Sequence, residues 1–251
     1  MIETENLCKT HGTTTVLHGV DLRIPQGKLT AIIGPNGAGK STALGLISRL
    51  VPMTSGQVRI EGRDIATTAS DALARILAIL RQDNQSALRL TVRDLVAFGR
   101  FPHSKGRLSA EDKAHVDRAL AYLNLESLEA RFLDELSGGQ RQRAYIAMVL
   151  CQDTRYILLD EPLNNLDMAH AVGMMKLLRR AVRDTGKTVV VVLHDINFAA
   201  TYADHIIAMK DGHLYREGPP QTVVCNEVLS DLYAIDVRVH EVGGRRFCDY
   251  F

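Results

Sequence analysis

The stretch Gly34-Pro35-Asn36-Gly37-Ala38-Gly39-Lys40-Ser41-Thr42 limits what this chain can fold into more than any other. It follows the apolar run Leu29-Thr30-Ala31-Ile32-Ile33 and precedes a segment able to open a helix, the setting in which G-x-x-x-x-G-K-[ST] is a phosphate loop. Its glycines let successive backbone N–H groups converge on phosphate oxygens, and the helix amino terminus adds the positive end of its dipole. Lys40 is placed to reach β and γ phosphates, and the Ser41 hydroxyl to ligate Mg²⁺. Such a loop needs a strand covered on both faces beneath it. Two more continuous apolar runs, 156–159 and 188–193, suit the same parallel sheet, so an α/β fold is expected.

The 251 residues leave room for one large domain with a subdomain inserted in it. With 46% hydrophobic and 24% charged residues the composition is that of a globular chain with a sizeable core. Lysine and arginine number 30 against 29 acidic residues, so the net charge of +1 offers no general field for nucleic acid or anionic lipid. No nucleic-acid partner is expected. No apolar run approaches the roughly 18 residues that cross a bilayer. Met1-Ile2-Glu3-Thr4-Glu5 lacks the basic start and apolar stretch of a secretory signal, and a cytoplasmic chain is expected. Cys8, Cys151, Cys225 and Cys248 form no C-x-x-C pair and no two histidines are four apart, so neither a disulfide framework nor structural zinc is expected.

The first third reads as strands. Residues 16–24 alternate loosely, Pro25-Gln26-Gly27 is a turn, and 58–65 is a strand broken at Glu61-Gly62, which together predict an amino-terminal antiparallel β subdomain. Residues 72–81 fit a helix through Leu73, Ile76, Leu77 and Leu80, while their end equally fits a buried strand. Helix signals then dominate. Thr91 with Asp94, Ser109 with Asp112 and Ser137 with Gln140 have capping-box spacing, predicting an inserted α-helical subdomain over about 88–150. A further amphipathic helix is predicted over 167–184, with Met168, Val172, Met175, Leu178 and Val182 as its core-facing residues. A carboxyl-terminal extension over about 220–251 ends in strands around Gly243-Gly244.

Tyr156-Ile157-Leu158-Leu159 ends in Asp160-Glu161, and an acid at the carboxyl end of a buried parallel strand lies where nucleotide sits in such sheets. Taken alone the pair could cap a helix before Pro162. Beside a phosphate loop, Asp160 suits the Mg²⁺ shell, and Glu161 suits the base that polarises the attacking water. His194 ends the run 188–193; it can be structural, or it can hydrogen-bond the γ phosphate and orient Glu161 or the water. Leu136-Ser137-Gly138-Gly139-Gln140 makes a second anion nest at a helix start. Two nests for one γ phosphate imply a head-to-tail dimer, each nest closing over the nucleotide of the other copy.

The phosphate loop, Leu136 to Gln140, Leu158 to Glu161, and His194, in this order, resemble the ATPase subunit of ATP-binding-cassette (ABC) transporters across nearly the whole chain. That resemblance implies a P-loop NTPase fold and one ABC ATPase domain over 1–251. It places Gln82 at the glutamine that touches Mg²⁺ and the attacking water, favours a strand just before it, and places Asp167, in Asn164-Asn165-Leu166-Asp167, at the D-loop. His11 stands where the family commonly has an adenine-stacking tyrosine; imidazole offers less π surface, and a surface-loop histidine is the plain alternative.

A lone cassette can drive a permease or power a soluble machine such as that of iron-sulfur cluster assembly. The stretch from Leu90 to His103, Leu-Thr-Val-Arg-Asp-Leu-Val-Ala-Phe-Gly-Arg-Phe-Pro-His, resembles importers of iron chelates, haem and vitamin B12, where this part receives a permease helix. From Arg81 to Arg107 there are six basic and two acidic side chains, which read either as a solvated face or as a docking surface near an anionic leaflet, with Phe98 and Phe101 as anchors. Residues 161–168 and 243–251 resemble the ferric-siderophore subgroup, catecholate or petrobactin-like. By this resemblance the chain is a homodimeric motor on the cytoplasmic face of the inner membrane, joined to a permease dimer that a substrate-binding protein loads.

Overall fold

The computed structural model describes residues 1–82, 89–164 and 166–250. Asp83, the rest of the basic stretch up to 88, Asn165 and Phe251 lie outside the described residues. The chain divides into two compact units, one formed by Met1–Thr68 with Met175–Phe251 and the other by Ala69–Met174.

In the first unit β1 (Ile2–His11) pairs antiparallel with β2 (Thr14–Val20) and, at its start, with β3 (Arg23–Ile24). β4 (Leu29–Ile33) is buried at all five residues and leads through the glycine-rich loop into α1 (Lys40–Ile47). β5 (Ser55–Ile60) lies antiparallel to β1 and turns into β6 (Arg63–Asp64). The predicted break is a tight turn with Glu61 at φ 53° and Gly62 at φ 75°. This is the antiparallel β layer that the alternation of 16–24 and 58–65 predicts.

The second unit opens with α2 (Ser70–Ala74) and β7 (Leu77–Leu80), so the ambiguous segment is a helix first and a strand afterwards. The helices α3 (Val92–Phe98), α4 (Phe101–Ser104), α5 (Ala110–Tyr122) and α6 (Gly138–Cys151) follow. All three predicted capping boxes form, at Thr91 with Asp94, Ser109 with Asp112 and Ser137 with Gln140. α3, α5 and α6 pack on one another and bury Val96, Val116, Leu120 and Ala147. β8 (Tyr156–Leu159) is wholly buried and runs parallel to β7, Leu77 opposite Tyr156 and Leu80 opposite Leu159.

α7 (Met168–Thr185) starts in the second unit and ends in the first. Met175, Leu178 and Val182 are buried as expected. Met168 is not: it is 70% exposed, and the buried stripe begins instead at Ala171. Val172 is half-buried.

The first unit resumes with β9 (Thr188–Val192), α8 (Ile196–Tyr202), β10 (His205–Lys210) and β11 (His213–Gly218). Here the strand order is β11-β10-β4-β9, with β10, β4 and β9 parallel and β11 antiparallel to β10. Full burial of β4 and β9 is what parallel strands covered on both faces require. α9 (Pro220–Val223), α10 (Asn226–Tyr233) and a hairpin of β12 (Arg238–Val242) and β13 (Arg245–Asp249) complete the chain. The hairpin turns on Gly243 and Gly244 at φ 58° and 72°, the pair of positive values that a two-residue turn of this hand demands. Asn197 fastens the hairpin to α8: its Oδ1 accepts from Cys248 N at 2.7 Å and its Nδ2 donates to Cys248 O at 3.1 Å. Among the described residues no helix is long and apolar enough to cross a membrane.

Candidate functional site

Each unit carries its own share of the predicted residues. In the first, the loop from β4 to α1 is shaped by close approaches. A Cβ on Gly34 would lie 2.1 Å from Met209 O, and one on Gly39 would lie 2.6 Å from Leu17 Cδ2. Gly37, at φ 81°, has nothing within 4 Å of that position, so its backbone stays open to a ligand. Lys40 is 5% exposed, and its Nζ donates to Gly34 O at 2.8 Å and Pro35 O at 2.9 Å. The loop's own carbonyls therefore hold the ammonium in place. Gly39 starts α1 in the left-handed region, no side chain caps the helix, and its first turn has no acidic residue. α3, α5 and α6 all begin with side-chain caps. A helix start left open behind a glycine cradle, with a buried cation beside it, fits a polyphosphate. Ser41 and Thr42 fill its first turn, Ala38 is buried and Asn36 exposed.

His194 is exposed between β9 and α8, and Asp195 caps α8 by accepting from Asn197 N at 2.7 Å. His11 is the exposed last residue of β1, opposite Thr14.

In the second unit β8 delivers Asp160, 8% exposed, and then Glu161. Glu161 has φ 50°, a left-handed backbone seldom taken by residues other than glycine. Its Oε2 accepts from Gln82 Nε2 at 2.8 Å and from Asn164 Nδ2 at 2.5 Å. The structure thus brings Gln82 to Glu161, and Asn164 is a partner that the motifs do not reveal. Ser137 Oγ accepts from Gln140 N at 3.3 Å while Gln140 Oε1 accepts from Ser137 N at 3.0 Å, which fixes Gly138 and Gly139 in the first turn of α6. The ring of His170 lies 3.7 Å from the Cβ position of Gly139, and its Nδ1 lies 2.8 Å from Asp167 Oδ1. Hydrogen bonds from the His170 amide and ring hold the Asp167 carboxyl below the usual carboxylate range. The spacing of Asp167 and His170, one helical turn at the start of α7, is the signal that could have found His170.

Phe98 and Phe101 are 49% and 54% exposed, so neither is core. They line a cleft of about 360 Å³ with Leu90, Ala97 and Leu108. The described part of the basic stretch around them is largely paired within its own unit. Arg93 pairs with Asp117 and Glu129, Arg100 with Asp112, Lys105 with Asp71, and Arg89 with Asp134 while lying 4.0 Å over the Phe132 ring. The excess of charge along the chain is largely answered in space by acids from elsewhere in the same unit.

Residues 17–164 match the family model described as ABC transporter. The chain belongs to the ABC transporter family. This ABC protein is similar to the petrobactin import ATP-binding protein YclP of Bacillus subtilis (strain 168), 50% identical over 251 residues and 100% of both chains. It is also similar to the petrobactin import ATP-binding protein FatE of Bacillus anthracis, 50% identical over 239 residues, 95% of this chain and 96% of that one. Its fold matches the dimeric post-hydrolysis structure of the ATP-binding cassette MJ0796 bound to ADP and Pi, at 32% identity and TM-score 0.78, covering 88% of this chain and 99% of that one. The α/β P-loop NTPase fold expected of the sequence is the fold observed, and the chain is an ABC ATPase that binds nucleotide.

Proposed function

We propose that this chain is the ATP-hydrolysing subunit of an importer of ferric siderophore, of the petrobactin or another catecholate kind. It works as a homodimer bound to the cytoplasmic face of the inner membrane, on a permease dimer that a substrate-binding protein loads. The single observation that carries this is the 50% identity over the full chain to a petrobactin import ATP-binding protein. The exposed Phe98 and Phe101 at an apolar cleft support a permease contact in the helical part, about 88–150. The segment of about 220–251 is then an extension of the single cassette, its hairpin fastened to α8.

The open start of α1 and the buried Lys40 suit the β and γ phosphates of ATP, with Gly34, Asn36, Gly37, Ala38, Gly39 and Thr42 as the cradle and His11 beside the adenine. Ser41, Asp160 and Gln82 would hold Mg²⁺, which would supply charge neutralisation to the phosphates when bound. Glu161, oriented by Gln82 and Asn164, takes the proton of the attacking water, and His194 holds the γ phosphate in line. Ser137, Gly138, Gly139 and Gln140 of the opposite copy close over the same nucleotide, with Asp167 signalling across the dimer. Closure moves the docked permease helices; hydrolysis removes the contacts that hold the dimer shut.

Glu161→Gln should leave ATP binding intact, nearly abolish turnover and trap a dimer, seen by size-exclusion chromatography with ATP; hydrolysis at the normal rate would sink the assignment. For cargo, uptake of radiolabelled iron as petrobactin, other catecholates and hydroxamates is measured in cells lacking this chain and in complemented cells. Uptake of every chelate unchanged by the deletion would refute the siderophore reading in favour of a haem, vitamin B12 or soluble role.

A further inference from the structure

We infer that Gly99-Arg100-Phe101-Pro102-His103 is a clasp that fastens the partner-facing cleft to the carboxyl end of α6, so that this helix relays movement at the cleft to Ser137 at its other end. The inference rests on the importer reading above and adds positioning residues to it.

The last carbonyls of a helix have no acceptor role inside it, and the negative end of its dipole gathers there. At the end of α6 one short segment meets three carbonyls: Cys151 O and Gln152 O, which lie beyond the helix's last internal bond, and Met148 O, which accepts that bond from Gln152 N at 3.3 Å. Gly99 packs so close that a Cβ would lie 2.1 Å from Met148 O, which only glycine allows. Arg100 donates through Nη1 to Cys151 O at 3.0 Å while its Nε donates to Asp112 Oδ1 at 2.9 Å; both side chains are under 10% exposed. His103 Nε2 lies 3.0 Å from Gln152 O. A cation and an imidazole are the groups a helix carboxyl end prefers, and both come from the segment that holds Phe101 exposed at the cleft.

The opposite end of α6 is closed by the Ser137 and Gln140 capping box, so an element of 14 residues, about 21 Å long, is gripped at both ends. Gln152 extends the grip: its Nε2 donates to Ala74 O and Leu77 O, at the start of the strand that leads to Gln82. A push on Phe101 is thereby delivered to backbone atoms of α6, with few rotatable bonds to absorb it. A contact chain alone is not coupling, so the test reads coupling directly.

Arg100→Lys keeps a cation opposite Asp112 but cannot also span to Cys151 O, and His103→Phe keeps a ring while removing its nitrogens. The measured quantity is the ATPase rate of the complex in nanodiscs, with the petrobactin permease and binding protein carrying iron-petrobactin, divided by the basal rate of the isolated chain. In each variant that ratio should fall about fivefold or more, with basal rate and melting temperature kept close to wild type, and His103→Gln, which restores a donor, should recover it. A ratio equal to wild type in His103→Phe, or a loss explained in proportion by lower basal rate and melting temperature, overturns the clasp. A wild-type chain that no permease stimulates overturns the importer reading itself, a result distinct from a stimulated wild type with equally stimulated variants.

Discussion

At Glu161 the backbone adopts φ 50°, a conformation worth roughly 1 kcal/mol or more of strain for a residue with a Cβ. What it gains is a carboxylate oxygen shared by two amide donors from different segments, Gln82 and Asn164. Removing one of them frees the base to swing, so Asn164→Ala should lower kcat about tenfold to a hundredfold with little change in KM for ATP, measured by steady-state phosphate release. Lys40 is a different case, since its ammonium is stationed in the loop by Gly34 O and Pro35 O. Lys40→Ala removes a charged hydrogen bond to phosphate and should weaken binding of a fluorescent ATP analogue about tenfold or more; unchanged affinity would contradict its role. Lys40 could be read from the sequence because its partners Gly34 O and Pro35 O belong to the same loop, whereas Glu161 meets Gln82 from 79 residues away, a neighbour that only the family resemblance suggested. Asn164 was not legible, since it acts through a turn whose side-chain directions no spacing rule specifies, whereas the three-residue spacing of Asp167 and His170 was there to be read.

Among the elements, the helix starts were the most legible feature, because a capping box is a contact between residues three apart and needs nothing from the rest of the fold. The capping acid of α5 shows what the sequence leaves out. Asp112 closes Ser109 and also meets Arg100, from a segment 12 residues earlier, and these contacts hold its carboxyl at about 2 against the ordinary 3.8. Because the folded value is the lower one, the stability it contributes is complete above the ordinary value and is lost as pH falls from there through about 2. Asp112→Asn should cost about 3 kcal/mol at neutral pH by leaving Arg100 buried without its counter-charge, and it should flatten the acid limb of thermal melts followed by circular dichroism below pH 4. The segment 72–81 and Met168 mark the other limit of legibility. Periodicity tells which face of an element is apolar, but not where one element stops and another begins, nor at which turn of a helix burial starts.

For the whole molecule, the fold class followed from one loop and three apolar runs, since a phosphate loop at the end of a buried strand has few other settings. Between a solvated face and a docking surface the sequence could not choose, because net charge along a stretch counts neighbours in the chain and ignores those across space. With Arg89, Arg93, Arg100 and Lys105 each opposite an acid, attachment to the permease should rest on shape and apolar area around Phe98 and Phe101. Co-purification with the permease should therefore survive 0.5 M salt, a concentration that screens exposed charges within about 4 Å, and should fail with Phe101→Asp; release by salt alone would reinstate the electrostatic surface.

Charges answered inside one unit also set a tempo. Without a long-range field to guide encounters, two proteins meet productively at about 10⁵–10⁶ M⁻¹s⁻¹, far below the steered limit. For the proposed importer, a motor meeting its permease at that rate gains nothing from electrostatic steering, so the affinity of the pair should be set by how slowly they part. The paired arginines of the helical unit then predict an association rate that changes little with ionic strength, read by stopped-flow mixing of the chain with permease in nanodiscs.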